Sequence, residues 1–283
     1  MINIVIPSNN YYERKYILDA IFSEFLGLSY NIIVSDNVKN YEIIVDSNGK
    51  LVVEDHFFNN FISDLSYLNI NNLPSKIVYQ TKSDNDYICE NNIPIIYGKN
   101  QPIKLNVYNN YKEILCSIDI FASSFFMLTR WEEYVNNIKD NHERFAAKNS
   151  IAYQYEFLNR PVVNEYVQIL KNLLYILNPN IQFKAYSKKF FVTCDVDSPF
   201  YHCFQCLRNC LGDIVIRKNF ELFFNRLPNI LYTVVKDKNY TFNWYMDICE
   251  RYNHKAYFYF IVEQNHKYNK NYNILNHKIK NLL

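Results

Sequence analysis

Hydrophobic positions change their spacing several times along the chain, and each change marks an element. From Tyr11 to Leu28, the residues Ile17, Ala20, Ile21, Phe25 and Leu28 recur at helical spacing. Glu13, Arg14 and Lys15 stand opposite them, so the pattern predicts a helix with one buried face. Short β-rich runs follow at Tyr30 to Ser35, Tyr41 to Val45 and Leu51 to Val53, and Asn48-Gly49 between the last two is a strong hairpin turn. Apolar patches broken by Asn, Asp and Pro then predict strands near Ile77 to Tyr79 and Ile95 to Tyr97.

Helical spacing returns at Ser117 to Val135, through Ile118, Phe121, Phe125 and Leu128, and is followed by the polar loop from Asp140 to Phe145. A second long helix starts at Pro161 and turns Val163, Tyr166, Val167, Leu170, Leu173, Leu174 and Leu177 toward a core. Asn178-Pro179-Asn180 stops it, and the polar stretch to Lys189 reads as a linker. This divides the chain into an N-terminal α+β domain, residues 1–185, and a second domain, residues 188–283. In the second, Phe190 to Thr193 reads as a strand, Phe242 to Tyr252 as a helix and Ala256 to Val262 as another strand, the order of parallel α/β architecture.

Composition narrows the function classes. The formal net charge of +2 at pH 7 gives no long-range field for nucleic acid or a membrane surface. No segment approaches the roughly 20 apolar residues of a membrane span, and the start at Met1 lacks a basic leader, so the expectation is a cytoplasmic protein. Seven cysteines, an odd number, suit reduced thiols better than a disulfide framework. Aromatic residues reach 17%, which fits either drift in an A+T-rich genome or a sugar-stacking surface.

The most informative chemistry is the run from Phe191 to Pro199, where an apolar strand leads into Asp195 and Asp197. In an extended backbone this spacing points both carboxylates to one side. Such pairs hold a cation, or one member becomes a base through a raised pKa. The same residues also serve as a turn and a cap, so the spacing alone leaves both readings open.

The stretch resembles the first motif of the polysaccharide deacetylases, carbohydrate esterases with a chitooligosaccharide-deacetylase type of domain, in which an adjacent pair of acids is more frequent than the separated Asp-Val-Asp found here. Leu211-Gly212-Asp213-Ile214, Tyr240-Thr241-Phe242 and Lys255 to Phe260 extend the resemblance downstream. Phe121 to Phe126, Leu128 to Tyr134, Arg144-Phe145 and Arg160 to Tyr166 resemble an uncharacterised extra N-terminal domain of bacterial deacetylase-like proteins. The resemblance implies a distorted (β/α) barrel, of which residues 188–283 would be the incomplete start. It implies a hydrolase that removes acyl groups from an amino sugar, with Asp195 as catalytic base and Asp197 as ligand of a divalent metal, commonly zinc. The family's histidine ligands would come later than Leu283, so a truncated or fragmentary chain is expected, and an inactive glycan- or protein-binding relative is the alternative.

Three further groups offer chemistry. His202, Cys203, Cys206 and Cys210 include a Cys-x-x-Cys zinc spacing, against cysteines acting as small hydrophobes. His266 and His277 could replace absent metal ligands or lie at the surface. Arg130, Glu132, Glu133, His142 and Arg144 could line a glycan cleft, or form an ion-paired helix end.

Overall fold

A computed structural model of the chain describes residues 2–46, 49–81, 90–109, 111–200, 203–227, 240–262 and 272–283. It is a mixed α/β structure that divides into two compact units, Met1–Ala185 and Tyr186–Leu283.

In the first unit, β1 (Ile2–Ile6), β2 (Tyr30–Val34), β3 (Tyr41–Asp46), β4 (Gly49–Val53), β7 (Lys104–Tyr108) and β8 (Tyr111–Cys116) form one sheet in the order β2-β1-β3-β4-β8-β7. β1 pairs in parallel with β2 and β4 with β8, while β3 and β7 run antiparallel to their neighbours. Four strand C-termini, those of β1, β2, β4 and β8, therefore share one edge of the sheet. β5 (Val78–Gln80) and β6 (Ile93–Ile95) make a separate antiparallel pair.

Alternation explains the main sheet. Ile2, Ile4 and Ile6 of β1 are buried, with Asn3 and Val5 half-buried between them, the mark of a strand with one face on the core. Helices α1 (Tyr11–Leu18), α2 (Ile120–Thr129) and α5 (Val162–Leu177) complete that core with Ile17, Phe121, Tyr166 and Leu170. The short helices α3 (Trp131–Val135) and α4 (Ile151–Gln154) lie between α2 and α5 in sequence.

Three helix expectations need correction. α1 passes into π-helical turns over Asp19–Leu26 and ends at Gly27 in the left-handed region, φ 66°. The charges placed opposite its apolar face are not all at the surface, because Glu13 is 8% and Arg14 0% exposed. The helix expected from Ser117 to Val135 breaks at Arg130, φ 54°, which ends α2 and begins α3.

In the second unit β9 (Val192–Val196) and β10 (Ala256–Phe260) pair in parallel. α6 (Cys203–Val215), α7 (Phe220–Arg226) and α8 (Phe242–Arg251) lie between them in sequence, and α9 (His277–Lys280) follows. β9 starts two residues later than expected and so takes Asp195 into the strand. Among the described residues the strands do not close into a barrel. Of the expected Asn48-Gly49 turn, Asn48 lies outside the described residues and Gly49 opens β4, which pairs antiparallel with β3 as a hairpin requires.

Candidate functional site

The strand end at Asp195 is built by alternation. Thr193, Asp195 and Asp197 are exposed, Cys194 is half-buried and Val196 is buried. The parallel register sets Tyr257 beside Thr193 and Tyr259 beside Asp195. One face of the pair thus carries Asp195 with the exposed rings of Tyr257 and Tyr259, and Phe191 meets Tyr257 at 5.8 Å between ring centroids. The opposite face is covered by α8, where Phe242 stands 5.0 Å from Phe258 and 6.1 Å from Phe260.

Tyr272 closes the strand ends. Its hydroxyl donates to the Val196 carbonyl at 2.8 Å and accepts from the Ile261 N–H at 2.7 Å. Burial raises the pKa of its phenol, the Ile261 N–H opposes the rise, and the charge of Asp197 adds to it. Sequence reasoning missed Tyr272, because nothing local ties it to a motif 75 residues upstream.

Among the described residues, no three His, Cys, Asp or Glu side chains gather around a possible metal position. His277 is in the first turn of α9, where its Nδ1 is 3.4 Å from Asn281 Nδ2. His202, His266 and the side chains of Cys203 and Cys206 lie outside the described residues, while Cys210 is buried with a free thiol. Arg130 pairs with Glu133 at 2.6 Å, Glu132 accepts from the Ile151 N–H at 2.9 Å, and Arg144 pairs with Asp140 at 3.1 Å. His142 donates its N–H to Asp140 at 2.8 Å, so this group serves as ion pairs and loop ties of the first unit.

A second polar cluster, absent from the sequence reading, stands at the shared C-terminal edge of the first unit's parallel strands. In open α/β sheets such edges are where ligands bind. The loop after β1 supplies Asn9, whose carbonyl and Oδ1 accept from Arg14 Nε and Nη2 at 2.8 and 2.9 Å. Arg14 Nη2 is 2.6 Å from Asp55 Oδ2, an ionic contact rather than an aligned hydrogen bond, and its guanidinium lies over the rings of Tyr41 and Phe58. Asp119, after β8, caps α2 through the Ala122 N–H at 2.9 Å and accepts from the His56 N–H at 2.8 Å. At the half-buried rim His56 Nε2 is 2.9 Å from Glu54 Oε2, and Lys99 approaches Glu54 at 4.0 Å. Burial pushes the Asp119 carboxyl up to about 8, and Asp55 adds to the rise; the two N–H donors and Arg14 oppose it.

The chain belongs to a family of unknown function, DUF7033, whose model matches residues 2–179. No curated protein and no solved structure matches the chain. This overturns the resemblance to the polysaccharide deacetylases, since the matching family spans the first unit and no deacetylase family matches. The physical reason lies in the motif, for two acids on one side of a strand end form wherever a strand runs into a polar turn. No described helix is long and apolar enough to cross a membrane.

Proposed function

We propose that the second unit acts on carbohydrate, binding a sugar on the exposed β9–β10 face as part of a hydrolase that removes an acyl group from an amino sugar. The observation that carries this reading is the register that sets Tyr259 beside Asp195 with both side chains exposed. Aromatic rings cover the apolar face of a sugar, and carboxylates accept its hydroxyl hydrogens. Asp195 and Asp197 lie at the carboxyl end of a parallel strand, where barrel enzymes hold their reactive groups, which supports β9 and β10 as early strands of a (β/α) barrel. Asp195, as general base, would take the proton of the attacking water.

A zinc ion takes four ligands, commonly three of them from protein. The described residues offer two carboxylates at this strand end and no converging third ligand, so they do not fit that ion. The same observation favours a second reading, a binding module without turnover. Free thiols at Cys116, Cys194, Cys210 and Cys249 support a reducing compartment such as the cytoplasm.

Calorimetric titration with N-acetylated chito-oligosaccharides, coupled to an assay for released acetate, tests both readings. The hydrolase reading expects binding that weakens about tenfold in Tyr259→Ala, equivalent to about 1.4 kcal/mol. It also expects acetate release that Asp195→Asn abolishes while binding persists. Binding without acetate selects the module, and absence of both overturns the carbohydrate reading.

A further inference from the structure

Asp119, Asp55 and Arg14 are all removed from solvent: Asp119 and Arg14 are 0% exposed and Asp55 8%. Two carboxylates against one guanidinium leave one negative charge in excess, and an uncompensated buried charge is strongly unfavourable. The charged side chains facing Asp119 are Asp55 from the segment after β4 and Arg14 from α1. Tyr41 of β3, Tyr97, Cys116 of β8 and Tyr166 of α5 face it as well, with burial raising the pKa of each and so keeping it neutral. None of these supplies the missing positive charge.

The same carboxylate joins two elements between which, among the described residues, no backbone hydrogen bond runs: it holds the His56 N–H of the segment after β4 and the Ala122 N–H at the start of α2. The partner carboxylate, Asp55, holds the Phe57 and Asn59 N–H groups of that segment at 3.0 and 3.3 Å. The segment therefore hangs on two neighbouring buried acids, of which Asp55 is ion-paired with Arg14.

We propose that the buried Asp119 carboxyl, set against the Asp55–Arg14 ion pair, forms a proton-operated latch, closed when it holds a proton and opened toward water when the proton leaves. Opening shifts the segment that carries Glu54 and His56, so the rim pair at the strand edge is the group the latch controls. Protonation brings the trio to neutrality, and release restores the excess charge, which only hydration relieves. The upward shift of the Asp119 carboxyl to about 8 agrees with this count of charges.

The reporter is already in place. Trp131 stacks on Phe57 at 5.9 Å and meets Phe126 of α2 at 5.5 Å, so it touches both elements that the latch joins. Two measurements on the full chain test the latch. Carboxyl carbon NMR on aspartate-labelled protein should show one resonance titrating between about pH 7 and pH 9, far above the ordinary aspartate value of about 3.9. Trp131 emission in a Trp244→Phe background should shift with the same midpoint and stay flat in Asp119→Asn, which has no carboxyl proton to release. If Asp119→Asn does not fold, the NMR and emission midpoints of the parent protein decide. An Asp119 carboxyl ionised throughout that range, or one that titrates with no change at Trp131, overturns the proposal.

Discussion

Tyr272 donates its hydroxyl to the Val196 carbonyl at 2.8 Å, so a side chain beyond β10 in sequence terminates β9. The same oxygen receives the Ile261 N–H at 2.7 Å, and one phenol thereby pins the ends of both strands beside Asp197.

Tyr272→Phe removes both bonds and leaves a backbone donor and acceptor to find water. The expected cost to the second unit is about 1–2 kcal/mol. Hydrogen exchange should locate it, with the Ile261 amide losing protection while the amides of β3 and β4 keep theirs. Equal protection in both proteins would assign Tyr272 no role at the strand ends.

Among the described residues, Arg14 is the only side-chain cation facing Asp55 and Asp119. Arg14→Met strips both carboxylates of it and should destabilise the first unit by about 3–5 kcal/mol. Chemical denaturation measures this directly. Adding Asp55→Asn to Arg14→Met should recover part of the loss, because fewer buried charges then lack a partner.

Asp19 gives the acid limb of stability. Burial would raise its pKa, but hydrogen bonds from Lys15 and Tyr30 prevail and hold it below the usual aspartate value. A carboxyl lowered on folding adds stability above its unfolded pKa, and that stability is lost as pH falls through the folded value. Melting temperature should therefore drop on acidification in the parent and drop less in Asp19→Asn. Tyr30→Phe should move the profile in the same direction by a smaller amount.

Gly27 combines a left-handed backbone with close contact, since a Cβ there would stand 2.5 Å from the Lys184 Cβ. Gly27→Ala should cost at least the roughly 1–3 kcal/mol of a strained backbone position. The Lys184 N–H to Leu26 carbonyl bond, 2.9 Å long, sits at the same junction and should lose exchange protection. Thermal melting with exchange at Lys184 checks both effects.

Periodicity was a sound guide where one face of an element is buried and one is wet. The helix from Pro161 to Leu177 appears as α5, and the runs near residues 30, 41 and 51 appear as β2, β3 and β4. β7 escaped notice because all five of its residues are exposed, leaving no alternation to read. The break at Arg130 escaped because Trp131 continues the apolar pattern through it. Asp195 and Asp197 were legible because a strand places alternate residues on one side without outside help. The Arg14 cluster was not, as its members lie at positions 14, 41, 55 and 119 and meet only through the sheet order. A charged residue amid polar neighbours reads as solvated until the partner that buries it is known.

The pairing of β4 with β8 joins residues 49–53 to residues 112–116 across some sixty positions, whereas β1, β2, β3 and β4 find their partners within a much shorter stretch. Distant contacts close more slowly than nearby ones. The first four strands can therefore assemble as a nucleus while β8 and β7, already a hairpin, dock afterward. Asp119 lies three residues beyond the end of β8, so the polar edge of the first unit cannot be complete until β8 has docked.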